Sequence, residues 1–269
     1  MKITVFTSNQ PRHLHLIKRL SAIADECYAV MEVNTVFPGQ HPDFFKKSDI
    51  FQEYFSHVTA SEKNIFGDIS FSSCARELVI KSGDLNSLSR KILEPALDSD
   101  VYVIFGASFI KGWLIDFLVK RKAINIHMGM SPYYRGSSCN FWSVYDNNFH
   151  LTGATIHMLS KGLDSGDMLY HVAPTTKGCS TSFDFTMMTV KSAHESLVSR
   201  IADKSIFSFR PVTQNKSQAI RYTRNADFTD DIAKSFLERN LSIEEIEEGL
   251  SKNKDSIELY KPYYRLADD

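Results

Sequence analysis

The order of the first three segments constrains the fold of this chain more than any other feature. Residues 3–6 are rich in β-branched side chains and do not alternate between apolar and charged residues, which is typical of a strand buried on both faces. Pro11 suits the first turn of a helix, and four apolar residues follow at helical spacing: Leu14, Ile17, Leu20 and Ile23. Residues 28–33 predict a second strand. Strand, helix and strand in this order predict an α/β fold with a doubly wound sheet.

The alternation of strands and helices continues along the chain. We predict strands over 101–105, 124–128, 152–159 and 168–172, and helices over 85–94, 109–118, 140–145 and 182–203. Residues 34–84 combine chain-breaking residues with several aromatic ones, so we expect helical pieces joined by loops there. These pieces either pack on the sheet or form one wall of a substrate cleft.

The C-terminal part differs in character from the rest. Residues 207–225 lack clear periodicity, a helix is predicted over 230–239, and Ser242 with Glu245 forms a capping box that opens a last short helix. We therefore predict a catalytic domain over residues 1–204 and a small, mostly helical accessory module over residues 205–269, hereafter the tail.

Charge and composition exclude several classes of protein. The net charge is −1, and the tail holds 10 Lys and Arg against 12 Asp and Glu, so no basic arm for nucleic acid is present. The four cysteines lack CxxC spacing, which argues against a disulfide framework or a zinc site. The first apolar run is too short for a signal peptide, and no run reaches the length of a membrane span. We expect a soluble, cytoplasmic protein without a bound metal.

Three polar residues form the candidate catalytic set. Asn125 and His127 lie two residues apart in a predicted strand, so their side chains share one face. Asp164 lies in a predicted tight turn over residues 163–167. An amide and an imidazolium can donate to an oxyanion, and a carboxylate can orient the histidine. This set suits direct acyl transfer, whereas the spacing of Asn-x-His alone is equally consistent with a structural role.

The first strand-to-helix turn is a second candidate site. It lacks the GxGxxG fingerprint of dinucleotide-binding proteins. Arg12 and His13 lie beside a predicted helix N-terminus at the edge of the sheet where ligands bind in such folds. Two interpretations stay open: these residues contact a phosphate or carboxylate of a substrate, or they form a solvated first turn.

The stretch around Asn125 resembles the catalytic domain of the folate-dependent formyltransferases. The pattern of that family is N-x-H, a short loop ending in Pro, an R-G or K-G pair, T-G-x-T-x-H and D-x-G. This chain carries the same elements in the same order: Asn125-Ile126-His127, Pro132, Arg135-Gly136, Thr152-Gly153-Ala154-Thr155-Ile156-His157 and Asp164-Ser165-Gly166. Weaker agreement covers most of residues 1–203, and the loop after the histidine departs from the usual S-L-L-P.

The resemblance implies a Rossmann-like domain that takes 10-formyltetrahydrofolate as formyl donor. It implies that Asn125, His127 and Asp164 are catalytic, with the first two stabilising the oxyanion and the third orienting the histidine and helping a proton reach the folate nitrogen. Segments that contact the pterin in the family match Ser108, Phe109, Ile110 and Leu163 here. We expect His157 to be a supporting or core residue, and Cys139, although near the site, receives no role.

The predicted acceptor follows from the features in which this chain differs from particular groups of formyltransferases. The glycine-rich first turn of the glycinamide ribonucleotide formyltransferases is missing, and the short acidic tail is unlike the C-terminal barrel of the methionyl-tRNA formyltransferases. The chain resembles instead the sugar N-formyltransferases, which implies a nucleotide-linked amino sugar destined for surface polysaccharide. Alternatives left open are methionyl-tRNA formylation, hydrolysis of the donor and a non-catalytic binding module. A homodimer is also left open, with segment 44–55 and the tail as candidate interfaces.

Overall fold

The structure is a computed structural model that describes residues 1–33, 47–68, 70–72, 74–253 and 263–265. Its strands are β1 Lys2–Ser8, β2 Glu26–Val33, β3 Ala75–Lys81, β4 Val101–Ile104, β5 Ile124–His127, β6 Tyr134–Gly136, β7 Ala154–Met158, β8 Met168–Ala173, β9 Arg221–Thr223 and β10 Tyr263–Arg265. Its α-helices are α1 Pro11–Ser21, α2 Asp49–Phe66, α3 Arg90–Leu97, α4 Gly112–Lys120, α5 Cys139–Tyr145, α6 Ser182–Ala202, α7 Asp230–Arg239 and α8 Ile243–Lys252. Within these ranges, no helix is long and apolar enough to span a bilayer.

One mixed sheet organises the fold. Its strand order is β10-β8-β7-β5-β4-β1-β2-β3, and the run from β3 to β5 is parallel throughout. β7 is antiparallel to both β5 and β8, so the sheet changes direction beside β5. The predicted α/β fold with a doubly wound, Rossmann-like sheet is confirmed, and β5 lies where the two halves of the sheet meet.

Burial on both faces explains the apolar runs of the central strands. On β1, Val5 packs into a core with α1 and α6, while the adjacent Phe6 packs into a separate core with α3 and α4. In β4, Val103 and Ile104 divide between the same two cores. Successive side chains of a strand point to opposite faces, so a strand covered on both sides is mostly apolar, and the buried Thr4 of β1 donates to a main-chain carbonyl oxygen.

The tail packs against the segment that follows β5. β9 pairs in parallel with β6, and Arg221 of β9 donates to both carboxylate oxygens of Asp146 at 2.8 and 2.7 Å. Phe236 of α7 and Ile246 of α8 are buried in one apolar cluster with residues of α5. The predicted helical C-terminal part is confirmed, whereas the division into two domains at residue 204 stays a prediction.

Several boundaries differ from the sequence-based prediction. β3 lies in a region where only helical pieces were expected, and α3 continues through Pro95 to Leu97 instead of ending before the proline. Among the described residues β3 pairs only with β2, and its side chains, including Val79, are at least partly exposed, so it lacks the apolar run of a central strand. Residues 34–46, where part of the cleft wall was predicted, lie outside the described residues.

Candidate active site

Strands β5 and β7 and the turn that follows β7 supply the candidate catalytic side chains. Asn125 and His127 lie on β5, and the antiparallel register pairs Asn125 with His157 of β7. Asp164 lies in the turn between β7 and β8. Two adjacent strands therefore fix the amide and both imidazoles, and one turn brings the carboxylate to them.

The structure brings the three predicted catalytic residues together around one carboxylate. Nδ1 of His127 lies 3.3 Å from Oδ2 of Asp164. Nδ2 of Asn125 donates to Oδ1 of Asp164 at 3.3 Å. Each carboxylate oxygen thus faces one of the two groups expected to stabilise an oxyanion.

His157 holds the amide of Asn125. Nδ1 of His157 lies 2.9 Å from the carbonyl oxygen of Met158, which can only accept, so the ring carries a proton on Nδ1. Nε2 is then an acceptor, and it receives a hydrogen bond from Nδ2 of Asn125 at 2.9 Å. Both hydrogens of the Asn125 amide are therefore engaged, one by His157 and one by Asp164. The last residue of the T-G-x-T-x-H stretch thus holds the amide of Asn125.

The charges of His127 and Asp164 depend on each other. Burial lowers the pKa of His127, but the charge and hydrogen bond of Asp164, with a smaller contribution from Cys139, raise it well above its ordinary value. Burial likewise acts to raise the pKa of Asp164, and the charge and hydrogen bond of His127, with a smaller contribution from His157, bring it far below its ordinary value. The two residues consequently form an imidazolium–carboxylate pair at neutral pH.

Cys139 contacts the opposite side of the His127 ring. Its Sγ lies 3.7 Å from Nε2 of His127 and 3.4 Å from the carbonyl oxygen of Gly136. The thiol is buried at the first residue of α5. No role could be predicted for this cysteine, because the residues between it and His127 form a loop whose path cannot be read from spacing.

The remaining T-G-x-T-x-H residues fix the loop after His127. The Thr155 hydroxyl donates to the carbonyl oxygen of Gly129 at 2.7 Å and accepts from the N–H of Ser131 at 2.9 Å. A Cβ on Gly153 would lie 2.2 Å from Cε of Met130 and 2.5 Å from a backbone oxygen of β8. Only glycine allows this close approach.

The Asp164 turn is held by a residue of the tail that the sequence did not reveal. Asp164 has a left-handed backbone, with φ of 41°. A Cβ on Gly166 would lie 1.7 Å from the carbonyl oxygen of Met158, so the turn lies directly against β7. Nε2 of Gln214 donates to the carbonyl oxygens of Asp164 and Gly166 at 2.9 and 2.8 Å. Gln214 lies in a segment without periodicity, where no local signal marks it.

A pocket opens beside these side chains. Asn125, His157 and Asp164 line one side, and the predicted donor-contacting residues complete it: Ser108, Phe109, Ile110 and Leu163. Phe109 and Leu163 are exposed and present large apolar side chains at this pocket. The four residues are brought together as the resemblance implies, and their contact with the donor stays a prediction.

Glu32 holds the loop that carries Ser108. It is buried at the end of β2, where its carboxylate accepts from the Ser108 N–H at 2.6 Å and the Ser108 hydroxyl at 2.8 Å. It also accepts from the N–H of Gly83 at 2.7 Å. One carboxylate thus ties the segments after β3 and β4 to β2. Its position in an apolar strand gave no sign of this function.

Arg12 and His13 have partners within the protein and do not line the pocket. Nη1 of Arg12 lies 2.8 Å from Oε1 of the buried Glu62. His13 is buried and stacked on Phe105, with Nδ1 2.7 Å from the Thr7 hydroxyl. The expectation of a solvated first turn does not hold for these side chains, and their contact with a substrate stays a prediction without support from this geometry. Among the described residues, no group of three or more potential ligands could hold a metal ion.

The chain is similar to several known proteins. A family model described as formyl transferase matches residues 1–201. The methionyl-tRNA formyltransferase of Pelotomaculum thermopropionicum is 27% identical over 160 residues, which are 55% of this chain and 49% of that protein. The chain spans half or less of the length of the curated relatives it matches.

Two solved structures share the fold. A 4-N formyltransferase from Francisella tularensis has a TM-score of 0.50 at 19% identity, over 84% of this chain and 77% of that one. An N-formyltransferase from Helicobacter canadensis, in complex with folinic acid and dTDP-3-aminofucose, has a TM-score of 0.50 at 13% identity, over 85% and 72% of the chains.

Proposed function

The chain belongs to the formyl transferase family, and from that premise we propose that it transfers a formyl group from 10-formyltetrahydrofolate to an amino sugar that carries a nucleotide. The observation that supports the chemistry is the convergence of Asn125 and His127 on the carboxylate of Asp164, with Asn125 and Asp164 lining one pocket. In this proposal the protein's own side chains stabilise the charge that develops on the formyl oxygen.

The proposed reaction is direct transfer. The amine of the acceptor attacks the formyl carbon of the donor, and the carbonyl oxygen becomes an oxyanion. The bond from the formyl carbon to the folate N10 then breaks, and N10 takes up the proton that the amine loses. The buried charge of His127 stabilises the oxyanion, and Asp164 keeps that charge in place and lies where it can pass on the proton.

Asn125 supplies the second stabilising group in this proposal. Its hydrogen bond to His157 is short at 2.9 Å, whereas its bond to Asp164 is longer at 3.3 Å. The hydrogen that faces Asp164 is therefore the one available to the oxyanion. Hydrogen bonds that are long in the free enzyme commonly tighten or exchange in the reacting complex.

The exposed apolar rim of the pocket supports a folate donor. Phe109 and Leu163 offer apolar surface on which a flat ring can pack, and the segment 108–110 offers main-chain groups to the edge of the ring. The Helicobacter canadensis protein of the same fold was solved with folinic acid, a formylated folate.

The charge of the tail supports an amino-sugar acceptor over tRNA. The tail is net acidic, and four glutamates lie on α8: Glu244, Glu245, Glu247 and Glu248. A phosphate backbone is bound through Lys and Arg clusters, which this helix does not offer. The sugar nucleotide in the Helicobacter canadensis complex agrees with this choice. The product would serve surface polysaccharide synthesis, and the reaction would occur in the cytoplasm.

Methionyl-tRNA formylation is the second candidate. The curated relatives that match by sequence carry that name, although they match over half or less of their length. The two candidates share the donor and the catalytic residues and differ only in the acceptor.

Incubation with 10-formyltetrahydrofolate and a panel of nucleotide-linked amino sugars tests the proposal. We expect mass spectrometry to show one sugar that gains a formyl group, and no gain with the His127→Ala variant. Parallel reactions contain methionyl-tRNA or no acceptor. Formylation of tRNA without any sugar product would overturn the sugar assignment, and acceptor-independent release of formate would show a hydrolase instead.

A further inference from the structure

Residues 212–214 of the tail lie along the turn that carries Asp164. The main chains of Val212 and Met168 exchange two hydrogen bonds of 2.8 Å. The Thr213 hydroxyl donates to the Asp167 carboxylate at 2.9 Å. Gln214 then donates to two carbonyl oxygens of the turn, so three consecutive residues hold five hydrogen bonds to residues 164–168.

The side chain of Gln214 is directed entirely at this turn. It is buried, and Nε2 uses both hydrogens, one for the carbonyl oxygen of Asp164 and one for that of Gly166. Its Oε1 is buried without a hydrogen-bond partner. A buried amide that leaves its own oxygen unsatisfied carries a cost, which the two bonds to the turn must offset.

The turn needs such support at Asp164 itself. A φ of 41° is unusual for a residue with a side chain and persists where the surroundings fix it. The same residue must hold its carboxylate against both His127 and Asn125. A small rotation of this peptide would move both carboxylate oxygens away from their partners.

We propose that Gln214 is a positioning residue for Asp164, because its two hydrogen bonds fix the backbone from which the carboxylate reaches His127 and Asn125. The inference rests on the proposed function of Asp164 and extends it: the tail takes part in building the site. Gln214 does not line the pocket, so it acts through the turn and not on a substrate.

Titration of His127 by NMR tests the proposal without any need for turnover. The groups that face His127 are Asp164 from the turn, Cys139 from α5 and His157 from β7. In Gln214→Met, which keeps the length of the side chain but has no donor, Asp164 is released, and we expect the pKa of His127 to fall by about one unit. Thr213→Val is the matched control, because it removes a hydrogen bond to Asp167 only, and it should leave the His127 titration unchanged. An unchanged titration in Gln214→Met, or an equal shift in Thr213→Val, would overturn the proposal.

The kinetics of formyl transfer provide a second test of the proposal. We expect Gln214→Met to lower kcat by about tenfold or more, because a displacement of about 1 Å in a catalytic group has effects of this size. In an Asp164→Asn background the same substitution should change kcat little, since residues that act through one group are not additive. Full additivity would contradict the proposal. Absence of formyl transfer in the wild-type protein would overturn the proposed function alone, since the NMR titration would still decide the role of Gln214.

Discussion

The buried His127 and the partly exposed Asp164 form an ion pair, with Nδ1 of the imidazole 3.3 Å from Oδ2 of the carboxylate. Burial alone disfavours a charged histidine, and the carboxylate reverses that effect, so the pKa of His127 lies well above its ordinary value. The imidazolium is therefore present at neutral pH and is lost only as the pH rises through this elevated pKa. Much of the expected chemistry depends on this one pairing.

The variant Asp164→Asn tests the pairing directly. Without the carboxylate, burial dominates and the pKa of His127 falls, so the charge is lost at a lower pH. We expect kcat at neutral pH to fall by about 100-fold or more, as for removal of one group that stabilises an oxyanion, with partial recovery in acid. Measurement of kcat against pH checks this, and the same profile in variant and wild type would contradict it. Asp167→Asn, a carboxylate of the same turn outside the pocket lining, is the control.

The contact between Asn125 and His157 predicts a second loss of activity. His157→Leu removes the acceptor that orients the amide, and we expect kcat to fall about tenfold, equivalent to about 1.4 kcal/mol of transition-state stabilisation. His150→Leu is a matched control, because His150 is a partly buried histidine outside the pocket lining. Steady-state kinetics decide the matter; if kcat is unchanged in His157→Leu but lost in Asn125→Ala, the orienting role of His157 is wrong.

The carboxylate of Glu32 predicts an effect on donor affinity. Glu32→Gln replaces one acceptor oxygen with a donor group that must face an N–H or O–H of Ser108 or Gly83. The segment 108–110 should then shift, and we expect the Kd for folinic acid, measured by calorimetry, to rise about tenfold, or about 1.4 kcal/mol. Asp146→Asn weakens an ion pair with Arg221 away from the pocket and should lower Tm without changing this Kd. Equal affinity in Glu32→Gln and wild type would refute the role of Glu32.

A separate group of buried histidines predicts sensitivity to acid. Burial lowers the pKa of His13, His15 and His194, in the case of His15 to about 4. The unfolded chain takes up protons on these rings below pH ~6.5 while the folded chain does not, so the free energy of unfolding falls as the pH falls toward 4. The contribution of His15 alone is at most about 3 kcal/mol.

Denaturant unfolding at a series of pH values measures this effect. His194→Leu removes one of the buried rings, and we expect its free energy of unfolding to depend less steeply on pH between 6.5 and 4. His57→Leu, at an exposed position, is the control and should keep the wild-type slope. An unchanged or steeper slope in His194→Leu would show that the acid sensitivity depends on other groups.

The sequence by itself determined those features that depend on local patterns. The apolar run of β1 requires burial on two faces, and the alternation in β5 places Asn125 and His127 on one face, as the structure shows. Both patterns follow from the two-residue repeat of a strand, in which successive side chains point to opposite faces. The motif residues of the formyltransferases could also be identified from the sequence, because each motif is a short stretch with fixed spacing.

Only the tertiary structure decided which residues support these groups. Gln214 meets Asp164 across 50 residues of sequence, and Glu32 meets Ser108 across 76. Such contacts depend on the strand order of the whole sheet and on where the tail returns to it, which no local pattern specifies. The edge strand β3 was not predicted for a related reason. Among the described residues it pairs with β2 alone and its side chains are at least partly exposed, so its sequence lacks the apolar run that marks a buried strand.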